Sequence, residues 1–95
     1  MKPTRAIYLK AAERAEQYGV TNHQHAWSDK HDGFPERMCM GGHVMAAAGA
    51  NMADFREQCE LLDPMMGTAF HTFSATHNKY EVAAKLREFA ATLED

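Results

Sequence analysis

Four apolar residues near the end of the chain, Val82, Leu86, Phe89 and Leu93, recur at the spacing that places them on one face of an α-helix. Asn78 precedes them and Glu81 follows it by three positions, a variant of the capping box that closes the free amides of a helix start. Glu81 and Lys85 add an i,i+4 pair on the outer side. An amphipathic helix needs an apolar partner, so the rest of the chain must supply a core for it.

Three earlier segments do so. Ile7, Ala11, Ala12, Ala15 and Tyr18 mark a first helix that starts at Pro3 or Thr4 and ends at Tyr18, with Gly19 as its stop. A second helix begins between Pro35 and Cys39 and runs through Ala48, with Met40, Val44, Ala47 and Ala48 as its stripe and Gly49 as its end. Gly41 and Gly42 each cost a helix interior about 0.8–1 kcal/mol relative to Ala, which implies either close packing there or a later start. A third helix is capped by Asn51, carries Asp54 in its first turn, shows Met52, Phe55, Cys59 and Leu62 on one face, and is closed by Asp63 and Pro64. Met65 to Ala75 reads as irregular with one short helical turn, anchored by Phe70 and Phe73.

Residues 21–37 lack periodicity and read as a long loop or a short hairpin, with Trp27 and Phe34 as the large apolar anchors. The expected fold is therefore all-α. It is one domain over residues 1–95, a compact bundle of about four helices with that loop or hairpin between the first and second. At 95 residues, 45% apolar and 24% charged, the chain has the balance of a globular protein.

Composition also excludes function classes. A net charge of −3, with Lys2, Arg5, Lys10 and Arg14 interrupted by Glu13 and Glu16, speaks against a nucleic-acid partner held through phosphates. No apolar run reaches the roughly 20 residues that cross a bilayer, and no secretory h-region opens the chain, so no membrane partner and a cytoplasmic location are expected. Cys39 and Cys59 are expected as reduced thiols, although spacing alone leaves a bridge open.

The chemically capable residues crowd into the loop and its border: His23, His25, Asp29, His31 and Asp32, then Cys39 and His43. Cys39 and His43 are four apart on one helix face, and His23 with His25 would complete a tetrahedral zinc site. No Cys-x-x-Cys pair is present, and solvated histidines beside a packed Cys39 and His43 account for the same residues. Cys39 at a helix start is also a candidate nucleophile, with His43, His71 or His77 as base. Cys59 lies on an apolar stripe and reads as core. The pairs Glu13 with Glu16 and Glu57 with Glu60 read as solvated helix faces, and Gly41-Gly42 lacks the surroundings of a phosphate loop. Met38, Met40, Met45, Met52, Met65 and Met66 suit either an adaptable recognition groove or the filling of an irregular core.

The step Cys39-Met40-Gly41-Gly42 opening an Ala-rich helix, and Phe73-Ser74 ahead of Tyr80-Glu81-Val82 in the last helix, resemble a family of uncharacterised small helical proteins of actinobacteria and their phages. That family is marked by a Cys-x-x-Gly helix start and a Trp-Asn-Asp step before the last helix. Phe73, Ser74 and Ala75 stand here where Trp, Asn and Asp would. The resemblance implies a helical fold and a phage or actinobacterial origin, and no activity. The expectation is a non-enzymatic protein-interaction module acting on a host protein, without a cofactor and with a homodimer as a further option. A zinc domain using His23, His25, Cys39 and His43 is the alternative, and a cysteine-dependent enzyme the second.

Overall fold

Thr4 accepts a hydrogen bond from the Ile7 amide at 3.3 Å and so starts the first helix, α1 (Arg5–Tyr18), in the computed structural model, which describes residues 1–23 and 27–95. Tyr8, Ala11, Ala12 and Ala15 form its fully buried stripe. These small side chains let neighbouring helices approach closely, and α1 packs chiefly on the last helix and next on α2 (Met40–Ala48). The Tyr8 hydroxyl donates to the Leu61 carbonyl at 2.6 Å, so the one polar atom on that stripe is satisfied across the core.

A small antiparallel hairpin follows α1. Its strands are β1 (Ser28–Asp29) and β2 (Phe34–Met38), joined by a 3-10 turn at Lys30–Asp32 and by Gly33 in the left-handed region at φ 84°. Met38 also bridges Val20, which ties the hairpin back to the end of α1. Trp27 packs inward, whereas Phe34 does not anchor the segment. It is 53% exposed and lies beneath the Arg37 guanidinium, 4.2 Å from its ring centre.

Gly41 and Gly42 sit inside α2 because the helix is tightly packed there. A Cβ at Gly41 would fall 2.8 Å from both the Phe70 and Trp27 rings, and one at Gly42 would fall 2.7 Å from the Trp27 carbonyl oxygen. The helix then stops at Gly49.

The expected four-helix bundle is corrected in two places, because the described residues form a mostly helical fold of five helices and the small sheet. Asn51 does not cap the third helix: its side chain accepts from the Ala53 amide at 3.0 Å, a local turn. Asp54 takes that role, accepting from the Arg56 and Glu57 amides, so α3 is the short segment Phe55–Leu61. The stretch expected to be irregular contains a 3-10 turn at Asp63–Met65 and a further helix, α4 (Phe70–Thr76). Tertiary contacts stabilise α4, since Ser74 Oγ accepts from the Met40 amide at 2.7 Å while Phe70 and Phe73 pack against the core.

The last helix, α5 (Lys79–Ala90), has both halves of its capping box in place. Because the Glu81 carboxylate is turned back onto the Asn78 amide, Lys85 pairs with Glu88 at 3.1 Å rather than with Glu81. Val82, Leu86 and Ala90 close the core with Met40, Met45, Leu61 and Met65. Among the described residues no helix is long and apolar enough to cross a membrane.

Candidate interaction face and histidine cluster

Of the described residues expected to share a zinc ion, His23 is set apart from Cys39 and His43. Cys39 caps α2 and is fully buried, its Sγ accepting from the Gly42 amide at 3.3 Å. Burial pushes its thiol up to about 11, outweighing the helix-start amides that pull the other way. The thiolate activation expected from the helix start is therefore not realised at neutral pH. His43 is also fully buried, with Nε2 donating to the Gly19 carbonyl at 2.8 Å. Burial, with a smaller effect from Arg14, lowers its pKa to about 4, so the ring is neutral at pH 7.

His23 lies instead on the hairpin side. Its Nε2 is 3.3 Å from Asp32 Oδ2 and 3.9 Å from Asp29 Oδ1. Among the described residues, His23, Asp29 and Asp32 are the one group of three donor side chains close enough to share an ion, and it overlaps the expected set only at His23. His25 lies outside the described residues. Asp29 is 3% exposed and already engaged by the Thr21 hydroxyl and the Arg37 guanidinium. Burial alone would raise its carboxyl, but those two partners outweigh it and hold it below the usual carboxylate range. Asp29 thereby latches the hairpin to the segment that follows α1.

The other bases proposed for a nucleophilic Cys39 are placed on or beside α4. His77 stacks on Phe73 with ring centres 3.8 Å apart and engages the Phe73 carbonyl through Nδ1. His71 sits edge-on to Trp27 at 5.6 Å.

A different site emerges along α3. The stripe of Met52, Phe55, Cys59 and Leu62 is expected to face the core, but only Met52 and Leu62 pack there; Phe55 is 77% exposed and Cys59 is an exposed free thiol. The core is served instead by Leu61, Leu62 and Met65, which leaves the adjoining face outward. Met66, just beyond the 3-10 turn, is 71% exposed. Phe55 and Met66 both line a groove of about 260 Å³ together with Trp27, Cys59, Leu62 and Phe70 and the polar Gln58 and His71. Trp27 and Phe70 pack against each other there, with ring centres 6.1 Å apart. Phe55 and Met66 are the most exposed of the large apolar side chains among the described residues, and they stand on one groove. The methionine series divides accordingly, with Met40, Met45 and Met65 buried and Met66 on the surface. The spacing of Phe55, Cys59 and Leu62 signalled the stripe but not its direction.

No protein-family model, curated protein or solved structure matches this chain. The family resemblance thus rests on the quoted residues alone.

Proposed function

We propose that this protein is a non-enzymatic interaction module whose recognition surface is the apolar face of α3 and the groove beside it. The observation that carries this reading is the placement of Phe55 and Met66, both largely exposed, on the lining of one mainly apolar groove. Single exposed apolar residues are ordinary, but a contiguous set around a concavity is the form of a protein-binding surface. The resemblance to phage and actinobacterial proteins directs the search for the partner to a host protein. A zinc-binding reading asks more of the residues. Cys39 would have to lose a proton that burial retains and give up the Gly42 amide, and His43 would have to leave the Gly19 carbonyl.

The test is capture from an actinobacterial lysate by tagged protein, with Phe55→Asp and Met66→Asp as matched variants. Substitutions this exposed should change stability by no more than about 0.5 kcal/mol. A protein recovered by the parent chain and lost with both variants is the expected result. Equal recovery by all three, or none by the parent, would remove the basis for the reading.

A further inference from the structure

The hairpin side of the molecule gathers donor atoms in which the α3 face has no part. Thr21 fixes two of the residues that supply them, because its hydroxyl accepts the His23 amide at 3.1 Å and donates to the Asp29 carboxylate. The 3-10 turn Lys30–Asp32 repeats every three residues, which returns Asp32 to the side of the chain that Asp29 occupies. One donor atom from each of His23, Asp29 and Asp32 lies within 4.8 Å of the other two. His23 Nε2 stands 3.3 Å from Asp32 Oδ2 and 3.9 Å from Asp29 Oδ1. A charge-assisted hydrogen bond closes to about 2.7–2.9 Å, whereas a zinc ion bound at about 2.0–2.2 Å keeps its donors about 3.0–3.6 Å apart. The spacing around His23 lies closer to that of donors arranged about an ion than to that of groups bonded to one another.

The partners that Asp29 already has are compatible with this use. Arg37 takes Oδ2 and the Thr21 hydroxyl takes one lone pair of Oδ1, so Oδ1, the atom nearest His23, keeps a second lone pair. Carboxylates that ligate metals are ordinarily hydrogen-bonded by an outer shell, and these two bonds keep the almost fully buried Asp29 ionised and oriented. His23 and Asp32 are exposed, so an ion reaches them directly from solvent. Arg37 balances the charge of Asp29, and with a neutral His23 the set offers one net negative charge, that of Asp32, which suits a divalent cation at moderate affinity. An imidazole nitrogen among the oxygens favours a transition ion over calcium or magnesium, which take oxygen ligands. We propose that His23, Asp29 and Asp32 form a binding site for a divalent transition-metal ion of the zinc class, with water completing its coordination. The site shares only His23 with the set expected from the sequence, and it ties the segment after α1 to the turn of the hairpin.

The full chain, free of any affinity tag and titrated with zinc chloride in a calorimeter at neutral pH, should bind one ion with a dissociation constant of about 1–100 μM. His23→Ala and Asp32→Asn change exposed side chains and leave the Asp29 latch intact, so both variants should fold. Each should weaken binding at least about tenfold, while His43→Gln should stay within about twofold of the parent. Cobalt chloride in place of zinc should give visible d–d bands without the near-ultraviolet charge-transfer band of a thiolate ligand, which separates this site from one that includes Cys39. No binding below about 1 mM zinc overturns the inference, as does binding by His23→Ala or Asp32→Asn within about threefold of the parent. Loss of binding in His43→Gln, or a thiolate band with cobalt, overturns it as well.

Discussion

His43 shows how a single buried side chain couples packing to pH. Its Nε2–H is used on the Gly19 carbonyl, and among the described residues its Nδ1 has no partner, so a proton added there would place an unpaired charge in the core beside Arg14. The folded pKa near 4 lies below the ordinary value near 6.5, so the unfolded chain binds the proton first as pH falls. Stability is therefore full above about pH 6.5 and declines down to about pH 4, by at most about 3 kcal/mol. Urea denaturation across that range should show the decline, and His43→Gln, which keeps a donor for Gly19 but does not titrate, should flatten it. An unchanged slope in the variant would assign the pH dependence to other groups. The presence of His43 near Cys39 was plain in the sequence, but its role was not. Spacing places two residues on one helix face without revealing that one of them is already bonded to the end of a different helix.

At the scale of elements, the glycine pair in α2 converts a local cost into a tertiary contact. Ala at position 42 would gain helix propensity but meet the Trp27 carbonyl at 2.7 Å, a backbone atom that cannot rotate away. Gly42→Ala should lower stability by about 1–3 kcal/mol, read as a fall in the denaturation midpoint, and a neutral outcome would mean that the hairpin yields easily. Elements whose ends are fixed by local chemistry were legible beforehand. Thr4, Gly19, Gly49, Asn78 and Glu81 set boundaries through bonds to their immediate neighbours. Elements decided by distant partners were not. Helix α4 depends on Ser74 reaching Met40 and on Phe70 reaching Trp27, and neither contact leaves a periodic trace. The stripe on α3 is visible in the spacing, but Leu62 follows Phe55 by seven positions and is buried while Phe55 and Cys59 are exposed, so the pattern does not choose the inward side.

For the whole molecule, the radius of gyration of 11.7 Å compares with about 12 Å for a domain of this length. The chain reaches this compactness with Phe55 and Met66 left on the surface. Stability should be uneven across the structure. The packed faces of α1, α2 and α5 carry most of the fully buried residues, while β1 has two residues and most of β2 is exposed. Amide exchange should be slowest in α1 and α5 and at least about tenfold faster in the hairpin, and comparable protection in both would show that the Asp29 latch makes the hairpin part of one cooperative unit. The bond from Tyr8 to the Leu61 carbonyl bears on this same division. It fastens the last turn of α3 to the buried stripe of α1, so the face that carries Phe55 is held in shape by the core. Under the proposed interaction reading, little ordering entropy is lost on contact, and a small surface binds more tightly than its area alone would suggest.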